Sequence, residues 1–193
     1  AMSVDRRSIL AVSLGLGAAA AAAATAQAAG DKTVPKKKTL NEAFREIGER
    51  IVGELKPDSP DDQTAVLQDL IDEAAAKDKT LLLPEGTFRV SGLRLRAGTC
   101  LIGQARRTVL MFSGGATFAT ADKADGLVVS GITFDGAYKP LDTESTEALL
   151  SVANSRSVVI EDVAIRNSAM GGLALSHTGG RIEHVHVADV LDF

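Results

Sequence analysis

Two histidines and two acidic residues lie close together near the end of the sequence. Glu183, His184, His186 and Asp189 fall within seven positions, and the apolar Val185 separates the histidines. If Val185 points inward on a strand, both imidazoles point outward on the same face. Imidazoles with carboxylates can bind a divalent or transition metal ion, or act as base and acid in catalysis. A solvated turn followed by an outward strand face explains the same residues without chemistry.

Further carboxylates follow other apolar runs. Asp135 and Asp162 each come at or near the end of such a run, and Asn167 follows another. If repeated strands bring these residues to one outer groove, carboxylates about 5 to 9 Å apart can serve glycosidic hydrolysis. We therefore name Asp135, Asp162, His184 and His186 as catalytic candidates. Tight turns, in which Asx side chains bind the backbone, are the commoner role of such residues.

Arginines are concentrated in the early apolar runs of a chain whose formal charge is −4. Arg89, Arg94 and Arg96 are candidates for binding an anionic substrate, because a guanidinium group pairs bidentately with carboxylates. An ordinary solvated face is the alternative. The acidic balance argues against a nucleic-acid partner, since neutralising phosphates needs a basic face.

Short apolar runs punctuated by Gly, Asn, Asp and Ser begin at Thr80 and predict strands of about three to five residues with tight turns. Segments 158–165 and 180–187 align without gaps at a spacing of 22 residues, and segment 126–135 repeats the pattern. A repeat of this length, with three inward apolar positions and no room for a helix, predicts a parallel β-helix. A β-sandwich of many short strands is the alternative.

Two amphipathic helices are predicted before the strands. The first has apolar residues at helical spacing over 40–55, and the second follows Asp61 and Asp62, which can cap its amides, and runs to about Ala76. The apolar stripe of the second helix is long enough to cover the open end of a strand stack. The sequence therefore predicts an all-β solenoid with N-terminal capping helices.

The N-terminal residues have the pattern of an export signal. Arg6 and Arg7 precede an apolar run, and Ala26 and Ala28 form a small-residue cleavage site, so we expect removal of residues 1–28. The arginine pair and the Gly- and Ala-rich run are typical of a twin-arginine signal, with a general secretory signal as the alternative. We expect a periplasmic or secreted protein that uses the twin-arginine export machinery and has no membrane span after cleavage.

These features divide the chain into three parts. Residues 1–28 are the export signal, residues 29–60 are a linker with the first amphipathic helix, and residues 61–193 hold the second helix and the strands. The last four residues, 190–193, have the pattern of another strand without a polar terminal repeat. Because such an end exposes apolar residues and a free strand edge, we expect more repeats in a longer natural chain.

Three runs carry a family resemblance: DDQTA at 61–65, LLPEGTF at 82–88 and GTCLIG at 98–103. They resemble the segment that begins the coil in the pectate-lyase-like superfamily of right-handed parallel β-helices. With the arginine pair and the repeats, the chain resembles a family of twin-arginine-exported β-helix repeat proteins that has no assigned reaction. The resemblance implies a right-handed single-stranded coil and carbohydrate as the ligand class.

The superfamily motifs for catalysis are missing from this sequence. The later repeats lack the Asn-x-Asp, Asp-Asp, Gly-His-Gly and Arg-x-Lys motifs of polygalacturonases, and the Arg-x-Pro-x-x-Arg motif of pectate lyases does not occur. The resemblance therefore implies a lyase, glycoside hydrolase or epimerase only if the chain is an enzyme. Our hypothesis is an exported protein that binds a polysaccharide. A non-catalytic envelope scaffold, or a protein that binds a cofactor or metal, is the alternative.

Overall fold

The structure, a computed structural model, describes residues 54–142 and 148–191. In this part of the chain one complete helix is followed by fourteen short strands, and all the strand pairings are parallel. The predicted all-β parallel architecture is confirmed. The predicted export signal and nearly all of the first predicted helix lie outside the described residues.

The helix α1 spans Thr64–Ala76, and the strands are β1 (Thr80–Leu82), β2 (Gly86–Val90), β3 (Leu93–Arg94), β4 (Cys100–Ile102), β5 (Thr108–Phe112), β6 (Ala119–Asp122), β7 (Val128–Ser130), β8 (Ile132–Asp135), β9 (Ala148–Ala153), β10 (Val158–Glu161), β11 (Ala164–Arg166), β12 (Gly171–Ser176), β13 (Gly180–Glu183) and β14 (His186–Val187).

The strands form three sheets, which the chain visits in turn. The first sheet has the order β1-β4-β7-β10-β13, the second β2-β5-β8-β11-β14 and the third β3-β6-β9-β12. Each strand therefore pairs with the strand three places along the chain, and we call one pass through the sheets a rung. Val129 aligns with Ile160 and Ile160 with Ile182, as the repeat predicts.

One apolar core fills the space between the sheets. Alternate strand residues are buried because successive side chains of a strand point to opposite faces. Phe118 joins two neighbours in the middle of this core, with its ring centroid 5.2 Å from that of Phe112 and 5.7 Å from that of Phe134. Burial is weaker at the last rung, where Ile182 is 43% and Val187 is 44% exposed. That rung is packed on one side only within the described residues.

The helix α1 packs on the first rung through an apolar face that belongs to the core. The buried residues of this face are Leu67, Leu70, Ile71 and Ala74. Gln68 also binds the backbone of Arg94, whose amide donates to Oε1 at 2.8 Å and whose carbonyl accepts from Nε2 at 3.0 Å. None of the helices in the described ranges is long and apolar enough to cross a membrane.

The start of α1 depends on Asp62. Its carboxylate accepts a hydrogen bond from the Thr64 amide at 2.9 Å, and the Ser113 hydroxyl also donates to it. The aspartate pair was expected to supply side-chain oxygens to the first amides of the helix. Asp62 does so for the Thr64 amide alone, and the N-cap residue is Gln63, whose side chain makes no capping hydrogen bond. Asp61 instead accepts from the Ser59 hydroxyl at 3.1 Å.

On the last three described rungs, the chain turns from the first sheet to the second through one residue in the left-handed conformation. Gly131, Asp162 and His184 hold this position on successive rungs, with φ of 66°, 51° and 51°. They align because the strand residues just before them are paired in register. Asp and His are among the residues that tolerate positive φ best after glycine.

Replacing Gly131 with alanine should destabilise the protein much more than replacing Gly126. Both glycines have positive φ, 66° and 74°, so alanine at either position costs about 1 to 2 kcal/mol of backbone energy. A Cβ at Gly131 would lie 2.4 Å from the carbonyl oxygen of Gly103, whereas one at Gly126 meets nothing within 4 Å. In urea unfolding, we expect Gly131→Ala to lower the free energy of unfolding by about 1 to 3 kcal/mol more than Gly126→Ala does. Equal losses for the two variants would contradict the close approach of the two rungs.

Asp62→Asn should lower stability at neutral pH and have less effect as the pH falls. Burial favours the neutral carboxyl group, but hydrogen bonds from Ser113 and from the hydroxyl and amide of Thr64 outweigh it and lower the pKa of Asp62. Such a group stabilises the folded state above its unfolded pKa of about 3.9, and this stabilisation is lost as the pH falls through the folded pKa. The urea midpoints of variant and wild type should therefore converge between about pH 5 and pH 2.

Asp61→Asn is the matched control for this measurement, because the Asp61 carboxylate is bound within its own loop by Ser59. We expect its urea midpoint to stay close to that of the wild type at each pH. If the urea midpoints of Asp62→Asn and the wild type differ by the same amount across this pH range, the ionised carboxylate is not what stabilises the start of α1.

Candidate functional site

A cleft of about 450 Å³ opens on the outer face of the third sheet. We call it the third-sheet cleft. It is lined by Arg94, Leu95, Arg96, Ala97, Thr120, Asp122 and Lys123. These residues come from β3, β6 and the segments that follow the two strands, so the lining belongs to two neighbouring rungs.

The alternation of the third sheet points the polar side chains of this lining outward. Arg94 is paired in register with Thr120, and Arg96 and Asp122 each follow two residues later. Leu95, which lies between the two arginines, is only 2% exposed and belongs to the core. The arginines therefore lie side by side along one strand direction, and Thr120 and Asp122 lie beside them on the next rung.

The helix α1 positions both arginines. Arg96 Nε lies 2.9 Å from Asp72 Oδ1, and the same oxygen accepts from Gln68 Nε2 at 3.1 Å. Gln68 also binds the backbone of Arg94. Within residues 54–142 and 148–191 the Arg94 guanidinium has no carboxylate partner. Arg94 is thus a positive charge on a fixed backbone, available to a ligand.

A second corner borders the cleft. Lys123, Asn154 and His177 turn it on successive rungs with φ of 52°, 49° and 50°. Asn154 Nδ2 donates to Asp122 Oδ1 at 2.8 Å, which orients the carboxylate of the cleft. His177 Nδ1 lies 2.9 Å from Ser176 Oγ. The corner therefore adds one positive charge, Lys123, beside the two arginines.

Small side chains cover the outer face beyond the cleft. Thr120 aligns with Ser151, and Ser151 aligns with Ala174 on the following rung. Asp122 aligns in the same way with Ala153. A face of small residues leaves room for an extended ligand that crosses the strands.

Arg89, the third arginine predicted to bind substrate, lies on a different sheet. It belongs to β2 of the second sheet, where it is paired with Met111, and its carbonyl accepts from the Gln63 amide at 2.8 Å. The structure thus brings Arg94 and Arg96 together and places Arg89 outside the cleft lining.

Asp135 is a buried residue, 3% exposed, that joins two rungs. Its Oδ2 lies 2.8 Å from Arg166 Nε, and its Oδ1 accepts from Asn167 Nδ2 at 3.0 Å and from the Ala137 amide at 3.0 Å. Both carboxylate oxygens are therefore bound by the protein. This position suits a structural role in holding β8 to β11.

Asp162 and His184 occupy the same corner on neighbouring rungs, and the structure brings them together. His184 Nδ1 lies 3.5 Å from Asp162 Oδ1, and both side chains are exposed. Glu161 lies beside them, and one ligand atom from each of the three residues lies within 4.8 Å of the other two. Asp162 and His184 were candidates in the sequence, whereas Glu161 was not.

The remaining residues of the predicted metal set are distributed along the last rung. Glu183 ends β13 in the first sheet, His186 begins β14 in the second sheet, and Asp189 follows with φ of 54°. His186 is paired in register with Ala164, and the Asp189 carbonyl accepts from the Ser168 amide at 3.0 Å.

Among the described residues, the ligands that converge are Glu161, Asp162 and His184.

Three residues of the lining were not candidates from the sequence: Thr120, Asp122 and Lys123. The run ATAD at 119–122 alternates small apolar and polar residues, a period-two pattern that indicates an outward position for Thr120 and Asp122. The pattern alone does not say which sheet the run joins. Only the register of β6 with β3 brings these residues to Arg94.

Comparisons with known proteins concern the fold. No family model and no curated protein matches the chain. Among solved structures the chain is similar to a "putative glycosyl hydrolase" from Parabacteroides merdae ATCC 43184, with a TM-score of 0.60, 14% identity and 74% of each chain covered. It is also similar to pre-mature gene product 12 of bacteriophage phi29, with a TM-score of 0.51, 19% identity, and 72% of this chain and 23% of that chain covered.

Asp135→Ala should destabilise the protein by about 2 to 4 kcal/mol, because it leaves Asn167 and the Ala137 amide without their acceptor and removes a buried ion-pair partner. Glu85→Ala is the matched control. It breaks the exposed pair with Arg107, in which the two side chains are 61% and 69% exposed, and should cost less than about 1 kcal/mol. Guanidinium unfolding measures both. Similar losses would contradict the structural role of Asp135.

Proposed function

We propose that this chain is an exported repeat protein that binds an acidic polysaccharide in the third-sheet cleft. The observation that carries the proposal is the cleft of about 450 Å³ into which Arg94, Arg96 and Lys123 bring three positive charges. The export signal predicted at residues 1–28 supports a location in the periplasm or outside the cell, where such polysaccharides are found.

We further propose that the chain is a right-handed single-stranded parallel β-helix of the pectate-lyase-like superfamily, with α1 capping its first rung. The constant offset of three strands within each sheet supports the coil. The strong preference of parallel crossover connections for the right hand supports the handedness. The apolar face that α1 buries against the first rung supports its role as a cap.

The charges of the cleft favour an anionic ligand. Lys123 adds an ammonium group at the corner. Arg94 offers a planar guanidinium group that can bind a uronate carboxylate through two hydrogen bonds. Arg96 shares its charge with Asp72, which keeps its side chain in place. The small residues Ser151 and Ala174 continue the face over the next rungs, at a strand spacing of about 4.8 Å, and give a polymer room to extend.

Binding, rather than hydrolysis, is the activity that the cleft supports. Glycoside hydrolysis uses two carboxyl groups about 5 to 9.5 Å apart, and Asp122 is the one carboxylate in the described lining. Asp122 is also oriented by Asn154 and is placed to accept a hydroxyl hydrogen bond from a sugar. The likeness to the solved structure from Parabacteroides merdae, which is named for glycoside hydrolysis, agrees with carbohydrate as the ligand class.

The full-length protein should bind polygalacturonate and show much weaker binding to neutral dextran in isothermal titration calorimetry. Arg94→Gln and Lys123→Gln should each weaken the affinity by about tenfold, the effect of losing one charge-assisted contact worth about 1.4 kcal/mol. The affinity should also fall as sodium chloride is added, since exposed charges are screened.

Arg106→Gln is the matched control, because it removes the same charge from an exposed turn outside the cleft lining. Its affinity should stay within about twofold of the wild type, since an exposed charge outside the lining makes no direct contact with the ligand and is screened by salt. Failure to bind either polymer would disprove the proposed function. An equal loss of affinity in Arg106→Gln and Arg94→Gln would show that binding depends on the total charge of the protein and not on the cleft.

A further inference from the structure

We propose that Glu161, Asp162 and His184 bind a divalent transition-metal ion of the zinc type at the corner between the first and second sheets. This site is separate from the third-sheet cleft and does not rest on polysaccharide binding. The three side chains come from two neighbouring rungs, and one ligand atom from each lies within 4.8 Å of the other two. Imidazole nitrogen and carboxylate oxygen are both zinc ligands, and three protein ligands with an open fourth position are the arrangement of catalytic zinc sites.

The register of β10 with β13 prepares this arrangement. Glu161 is paired with Glu183, so Asp162 and His184 follow as the same corner residue on successive rungs. The Asp162 amide donates to the Glu183 carbonyl at 3.2 Å, which holds the two corners together. On the preceding rung the corner residue is Gly131, so the equivalent residue on that side of Asp162 has no side chain. The backbone therefore fixes the positions from which the three side chains extend. Only side-chain rotations are needed to bring their ligand atoms to the ion.

The distance between Asp162 and His184 suits a shared metal better than a direct hydrogen bond. Their closest nitrogen and oxygen atoms are 3.5 Å apart, beyond the usual range of about 2.7 to 3.2 Å for such a bond. Two zinc bonds of about 2.1 Å at the tetrahedral angle place their ligand atoms roughly 3.4 Å apart. This pair therefore needs almost no movement. Glu161, whose side chain is 34% exposed, has to close at most about 1.4 Å, the difference between the 4.8 Å limit and that spacing.

The ligand types select the class of metal. An imidazole nitrogen with two carboxylates suits zinc and its neighbours among the divalent transition metals. Calcium takes six to eight oxygen ligands, and magnesium prefers oxygen ligands in a strict octahedron. Three protein ligands with one histidine nitrogen among them do not meet either requirement.

Arg181 is the residue that competes with the metal. Its guanidinium lies 3.3 Å from Glu161 Oε2 and 3.4 Å from Glu183 Oε2, longer than the usual 2.7 to 2.9 Å of a strong charge-assisted bond. The Arg181 side chain is 55% exposed, so it can move into solvent when a cation binds Glu161. Glu183 then remains as its partner. A metal bound at this corner should therefore bind more tightly when Arg181 is replaced.

Titration of the metal-free full-length protein with zinc chloride in a calorimeter tests the site. We expect one ion per chain, with His184→Asn, Asp162→Asn and Glu161→Gln each weakening the affinity by about tenfold or more. Asparagine is chosen at the corners because it tolerates the left-handed conformation. Arg181→Gln should bind zinc about threefold more tightly or better, because a neighbouring positive charge is removed.

His177→Asn is the matched control. His177 is another exposed corner histidine, with φ of 50°, and it lies outside the converging group. Its zinc affinity should equal that of the wild type. Circular dichroism of each variant is the check that it is folded.

Several outcomes would overturn the proposal: no stoichiometric zinc binding, an equal loss in His177→Asn and His184→Asn, or unchanged binding in Arg181→Gln. A loss in Glu183→Gln and His186→Asn without a loss in Glu161→Gln would also overturn it, in favour of ligands along the last rung. None of these results changes the expected affinity for polygalacturonate, so the two proposals fail separately.

Discussion

The structure depends on the hydrogen-bond ladder that joins each rung to the next in exact parallel register. Neighbouring strands in such a ladder are about 4.8 Å apart, and each residue lies directly beside its equivalent on the next rung. The ladder continues through all three sheets, from β2 to β14 in the second sheet for example. Within the strands, a column of residues therefore keeps its inward or outward direction from rung to rung. One substitution changes the packing of the rungs on both sides.

This constraint decides where chemistry is possible. Inward columns must be apolar, as with Val129 and Ile160, because each inward side chain packs on its equivalents above and below. Polar side chains therefore occupy outward columns and corners. They meet partners across rungs more often than along a strand. The buried contact between Asp135 and Arg166 and the exposed contact between Asp162 and His184 both join neighbouring rungs. The first is enclosed and satisfied by the protein, whereas the second is open to a ligand.

The repeat could be predicted from the sequence because inward columns need similar residues. The 22-residue alignment of 158–165 with 180–187 is the register of β10 with β13 and of β11 with β14. The same alignment pairs Asp162 with His184, so this contact was readable from the sequence. The predicted metal set instead followed the chain from Glu183 to Asp189, where neighbours in sequence lie on different sheets.

The third-sheet cleft was harder to predict. Its strands do not belong to the aligned repeat, and β3 has only two residues, too few for a periodic pattern. Arg89 and Arg94 are close in sequence, but the chain changes sheet between them and sends them to different faces. The contacts of Gln68 and Asp72 with the arginines are long-range and follow from how α1 docks on the first rung. Composition and spacing carry no information about such contacts.

The two proposed sites lie on parts of the molecule with different packing. The third-sheet cleft is built on rungs whose core residues are almost fully buried and whose arginines are held by α1, so a ligand meets a preformed surface. The metal corner includes the last described rung, where Ile182 and Val187 are more than two-fifths exposed and packing is weakest. An ion that binds Asp162 and His184 together adds a contact between β10 and β13 at this point. Because it binds only when the two corners are aligned, it stabilises the last rung more than the rest of the molecule.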